Sequence, residues 1–265
     1  MVTAGPQRTS TRDIEAARSP QQPYCTIGRK GQVRAPVMNS TYQLLGNLSP
    51  RAAAYLTRYF DEIDDGSFSN RKDLELNLLA PLAATQLTAT FHSFHPVIRE
   101  LGGVIIDDPG TSDHHVFLSK PPLEGTVLFL AHDDDTRMVF STLGDFLSAA
   151  TAAKQQRKLL TDFHPPLSPV IADQVGIGAF VRHALANRSL NDVMVTLIPC
   201  LDLRDLALLE QLVGYEDFFL GEAVAMEISK RPSAELRVIA DLCARHPHPQ
   251  VANAGRLAIS ATVQL

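Results

Sequence analysis

Between Leu101 and Phe146 the chain places a double glycine, two branched or aromatic β-type segments, an acidic turn and a new helix start in immediate succession. The segments read LGGVIIDDPG, HHVFLSK, GTVLFLAHDDDTRMVF and STLGDFLSAA. Branched residues cluster at Val104, Ile105 and Ile106, and β-type signals return at 115–118, 126–130 and 137–140. About six residues centred on Asp133, Asp134 and Asp135 separate the last two, which suits a hairpin with a longer loop. Alternation in VLFLA is weak, so at least one strand is expected in the middle of the sheet with both faces covered. Thr142, with Asp145 three residues on, caps the helix that follows, whose apolar face holds Phe146, Leu147 and Ala150. This block therefore specifies a small antiparallel sheet closed by a helix.

Helical signals precede it. Ser49-Pro50 is an N-cap and first-turn pair, with Ala53, Leu56, Phe60 and Ile63 behind it at helical spacing. A second helical run is expected from about Lys72 to Thr90 on Leu74, Leu78, Leu79 and Leu82, ended or kinked by Pro81. Pro96 opens a short third helix, stopped by Gly102-Gly103. After the helix that Thr142 caps no convincing strand appears. HPPLSP at 164–169 is a Pro-rich break, and helical runs are expected at 170–186, 190–200, 203–214, 217–229, 233–245 and 249–263. The last two look like one helix pair of the HEAT or armadillo kind, in which Ala252, Gly255 and Ala258 permit close packing; a compact bundle is the alternative.

Residues 1–36 are rich in Pro, Gly, Gln, Ser, Thr and Arg without apolar periodicity, and are expected to be a disordered tail. The expected organisation is that tail, an α+β domain over 37–163, and an all-α domain of helical hairpins over 170–265. The fold class is α+β, a small antiparallel sheet flanked by helices. No apolar run approaches a membrane span, and no signal peptide is evident. Cys25, Cys200 and Cys243 are odd in number and lack CxxC spacing, which points to a reducing, cytoplasmic setting rather than a disulfide framework or zinc ribbon.

The formal charge of −5 is unevenly spread. Residues 1–36 carry six basic side chains against two acidic ones, whereas residues 107–135 carry seven carboxylates against Lys120 alone. Such a segment repels nucleic acid and attracts a basic partner, although a merely solvated face has the same composition. The candidate partner-binding set is Asp107, Asp108, Asp113, Asp133, Asp134 and Asp135. A metal-dependent hydrolase using His114, His115, His132 and the nearby aspartates is a rival reading, but no HExxH or spaced His/Asp signature is present. VGIGAF lacks the third glycine and preceding strand of a dinucleotide site, and HPHP at 246–249 reads as an interhelical turn. Cys200 and Cys243 lie on apolar helical faces, and no serine has a base partner at motif spacing, so no nucleophile, cofactor or metal is nominated. Trp is absent and aromatic residues make up only 6%, which disfavours platforms for single-stranded nucleic acid.

The order helix, Gly102-Gly103, strand, GTVLFLAHDDD, RMVF and STLGDFL resembles the SUKH superfamily, the cell-wall-regulator-like fold common among bacterial toxin-immunity proteins. Gly103, Gly125 and the Phe146-Leu147 pair occupy the places of that family's early glycine, strand-opening glycine and terminal aromatic-Leu helix. The resemblance covers about residues 40–155; the helical second half is not part of that fold. It implies a non-catalytic protein that neutralises a cognate toxin by binding it, and the acidic loops would steer and partly pair with a basic surface of that toxin. A helical-repeat interaction scaffold, with the second half as the groove, is the alternative.

Overall fold

The computed structural model describes residues 46–132, 136–188 and 190–263. The tail expected over 1–36, and Asp133, Asp134 and Asp135, lie outside the described residues.

Helix α1 (Pro50–Ile63) starts as its sequence dictates, with the Ser49 hydroxyl accepting the Ala52 N–H at 3.0 Å and proline in the first turn. Its buried stripe is Ala52, Leu56, Tyr59, Phe60 and Ile63. The next segment departs from the sequence expectation. Residues 72–74 form one 3₁₀ turn, the chain then runs extended, and α2 (Pro81–Phe94) begins only at the proline. Leu74, Leu76 and Leu78 are buried while Glu75 is exposed, and Leu78 bridges to Asp107. Leu76 and Leu78 alternate as in a strand and Leu79 is buried beside them, so helical spacing through Leu74, Leu78 and Leu82 matched these residues only by coincidence. Helix α3 (Pro96–Leu101) ends on Gly102 at φ 64°, a left-handed cap that glycine adopts without steric cost.

Four strands follow as an antiparallel meander in sequence order: β1 (Gly103–Ile105), β2 (His114–Leu118), β3 (Val127–Leu130) and β4 (Arg137–Phe140). Val104 pairs with Phe117, His115 with Phe129 and Phe129 with Arg137, and a bulge interrupts β3 against β4 at Val127/Leu128. Every residue of β2 and β3 is buried, because helices cover both faces. On one face α1 and α4 (Leu143–Gln156) bring Tyr55 to 6.3 Å from Phe117 and Phe146 to 5.9 Å from Phe140, ring centre to ring centre. On the other, Phe91 of α2 meets His114 edge-on at 5.0 Å, and β1 lies so close to α3 that a Cβ on Gly103 would sit 3.1 Å from Ile98. Thr142 caps α4 through the Asp145 N–H and in turn donates to the Asp145 carboxylate, the arrangement that the sequence anticipates.

Beyond the sheet come α5 (Gln174–Ala186), α6 (Asn191–Leu197), α7 (Leu206–Val213), α8 (Phe218–Lys230), α9 (Arg237–Ala244) and α10 (Pro249–Val263). Asp173, Asp205 and Asp217 cap α5, α7 and α8. Helix α8 packs against α7, α9 and α10, while α6 returns to touch β4 and α3. Buried residues on both sides of HPPLSP belong to one continuous core, and the described residues fall in one compact unit. The Pro-rich break is thus a packed crossing over the sheet. The architecture is α+β, with the helices predominating.

Candidate functional site

The strand period of two sends His114 and His115 to opposite faces of the sheet, and each contacts Asp107 in its own way. Asp107 directly follows the Ile105-Ile106 edge and is buried, 1% exposed. Its Oδ1 accepts the His115 backbone N–H and its Oδ2 contacts His115 Nδ1, both at 2.5 Å. His114 Nδ1 lies 3.1 Å from the Asp107 carbonyl oxygen. On the far side of the His115 ring, Nε2 lies 2.8 Å from Nε2 of His164, which the crossing segment carries back over β3 and β4. The result is a continuous chain Asp107–His115–His164. Phe129, Phe140 and Phe146 surround the His115 ring at 5.2, 6.4 and 5.1 Å.

Burial, then His115, then Arg137 push His164 down to about 3, so it is neutral near pH 7. The Tyr59 hydroxyl donates to Ile106 O at 2.6 Å and is held well above the ordinary phenol range, first by burial and then by the Asp107 charge.

His164 borders a cleft of about 1200 Å³ between the open end of the sheet and helices α6 and α8. Six carboxylates line it: Glu75, Asp113, Asp192, Asp217, Glu222 and Glu227. Arg137 and Lys230 are the only lysine or arginine side chains in that lining. Glu227 is buried and paired with Lys230 and Arg231, both at 2.9 Å. Asp113 accepts the His132 N–H and Asp217 accepts Asn191 Nδ2. Among the described residues, only Glu227 of the six is in an ion pair, and Glu75, Asp192 and Glu222 have no side-chain hydrogen bond either, so the cleft keeps an uncompensated negative field that low-dielectric walls strengthen. Phe219 and Met226, 51% and 41% exposed, add apolar surface to the same wall.

The acidic set expected from sequence is thereby divided. Asp107 is removed from any docking surface, because its two oxygens are consumed by His115 inside the core. Asp108 is half-buried in a turn, accepting the Gly110 N–H and lying outside the cleft lining. Asp113 alone of the described members reaches the cleft. Asp133, Asp134 and Asp135 fall in the sequence between the lining residues Phe129 and Thr136 but outside the described residues. His114 and His115 are core residues, whereas His132 is exposed. Among the described residues no group of three His, Cys, Asp or Glu side chains is placed to hold a metal ion. Sequence reasoning missed His164, Asp192 and Glu222. Each is one polar residue in a break or on a helix face, with no local pattern to mark it.

Comparisons of the chain with protein-family models, with curated proteins and with solved structures found no match. Among the described residues, no helix is long and apolar enough to cross a membrane.

Proposed function

We propose that this chain is a non-catalytic, immunity-type protein that takes a basic surface of a cognate toxin into the acidic cleft and blocks that toxin by occlusion. One observation carries the reading: a large cleft lined by six carboxylates, three of which (Glu75, Asp192 and Glu222) have neither an ion-pair nor a side-chain hydrogen-bond partner among the described residues, beside exposed Phe219 and Met226. Charge of one sign in a recess speeds encounter with an oppositely charged partner, and the apolar rim supplies contact area. The SUKH-like order of residues 40–155 supplies the toxin class, and a cytoplasmic setting follows from acting where such a toxin acts. Asp113 belongs to the docking set, and Asp133, Asp134 and Asp135 extend it in sequence.

The test is co-expression with any large reading frame found beside this gene. If that frame arrests growth, the wild-type chain should relieve the arrest, and a Glu75→Gln, Asp192→Asn, Glu222→Gln variant should relieve it poorly while folding normally. Full protection by the triple variant, or none by the wild type, would refute the proposal.

A further inference from the structure

Thr161, His164, Pro165, Pro166 and Ser168 form part of the cleft wall, and two side-chain ties hold this crossing to the sheet. Arg137 Nη2 donates to Pro165 O at 2.8 Å, and His164 Nε2 faces His115 Nε2 at 2.8 Å. The second tie depends on protonation. Two imidazole nitrogens at that separation bond through one shared proton; with two protons both are donors, and no acceptor remains.

The surroundings decide which ring gives way. His115 is gripped by both oxygens of Asp107, whereas among the described residues His164 has no side-chain hydrogen bond other than that to His115. The groups facing the pair are Asp107 after β1, Arg137 on β4 and the Tyr59 hydroxyl on α1, with His114 on the opposite face of β2. Helix α4 and the sheet otherwise present Phe146, Phe129 and Phe140. The only carboxylate in this set is already bound to His115, so a second proton would place positive charge beside Arg137 with nothing to neutralise it. The closed crossing is also incompletely bonded. Ser168 Oγ and Arg137 Nη1 are buried without a partner, and opening would hydrate both.

We propose that the His115–His164 bond is a proton-operated latch on the cleft wall, closed by one shared proton and released by a second, so that acidification frees residues 160–168 from the sheet. Its consequence, discharge of a bound basic segment at low pH, rests on the cleft being the docking surface; the latch itself does not.

Hydrogen exchange of the full chain at about pH 7.5 and about pH 4.5, corrected for intrinsic rates, tests it. Peptides covering 160–168 should gain roughly tenfold or more in corrected exchange at the lower pH while β2 and β3 stay protected. His164→Gln, whose amide can accept from or donate to His115 Nε2 but takes no second proton, should abolish the gain. An unchanged wild type, the same gain in the variant, or an equal loss of protection across β2 and β3 overturns the latch. If the variant does not fold, imidazole ¹⁵N signals of the wild type replace it: His164 must gain its proton over the pH interval in which 160–168 opens, and a ring that stays neutral overturns the proposal. Binding of a fluorescent nona-arginine peptide, measured at both pH values, separates the two readings. Opening accompanied by weaker peptide binding upholds both, and opening without any peptide binding upholds the latch while overturning the cleft as a docking surface.

Discussion

Replacing Gly255 with alanine tests how tightly the last two helices are joined. A Cβ at this position of α10 would lie 2.6 Å from the Cys243 carbonyl carbon and 2.8 Å from Ala244 Cα, and closer still to the Ala244 amide nitrogen. All three are backbone atoms of the last turn of α9, so no side-chain rotation relieves the overlap. In an unencumbered helix interior the same change stabilises by about 1 kcal/mol, because glycine loses more backbone freedom on folding. Here α10 must withdraw by close to an ångström, loosening Val251, Ala254 and Ala258 on the same buried side. Overpacking of this kind costs typically about 1–3 kcal/mol. With its upper half applying to a backbone clash, the net effect is destabilisation by about 1–2 kcal/mol after the propensity gain is subtracted. Gly144→Ala is the control. That residue is exposed in the first turn of α4 with only Thr142 Oγ1 near, at 3.6 Å, so alanine should be neutral or stabilise by a fraction of about 1 kcal/mol. Urea unfolding followed by far-UV circular dichroism measures both. A Gly255→Ala protein as stable as the wild type would refute the close-packing argument.

Stability should fall on acidification with a defined sign. Unfolded His164 protonates near 6.5 and folded His164 only near 3, so between those values the unfolded chain binds more protons. The contribution is complete above 6.5 and is lost by at most about 1.4 kcal/mol per pH unit as the pH drops towards 3. His164→Gln should flatten that slope in denaturant titrations, and an unaltered slope contradicts the assignment. Tyr59→Phe should cost about 0.5–1.5 kcal/mol, since Ile106 O keeps its bond from Leu79 N–H at 2.9 Å. A loss well above that in the same unfolding assay would mean that the hydroxyl does more than complete one carbonyl. Burial raises both Cys200 and Cys243 to about 12, so peptide mapping after treatment with a thiol reagent near pH 8 should find both unmodified in the folded protein and modified in urea. Rapid labelling of either site in the folded state would contradict their placement in the core.

Local stereochemistry made much of the secondary structure readable. Ser49-Pro50, Pro96 with Gly102, Thr142 with Asp145, and the branched and aromatic strand segments each act over a few residues, and the structure places elements at all of them. The leucines at 74–78 failed for an equally physical reason. A short apolar run fits either period, and only the bridge from Leu78 to Asp107 selects the extended form.

What the sequence by itself determined, then, was the α+β order of elements, the covered central strands and an excess of negative charge around the sheet. Only tertiary structure decided where that charge went. Asp107 and Asp108 are neighbours in the chain, yet one is locked in the core by His115 and the other remains half-exposed. His115 and His164 are separated by 49 positions and meet only because the Pro-rich crossing returns over β3 and β4. The cleft likewise unites Glu75, Asp113, Asp192 and Glu222 from four distant segments. Caps, turns and strand periodicity are short-range properties written into neighbouring residues, whereas burial and the pairing of charges depend on which surfaces the folded chain brings together.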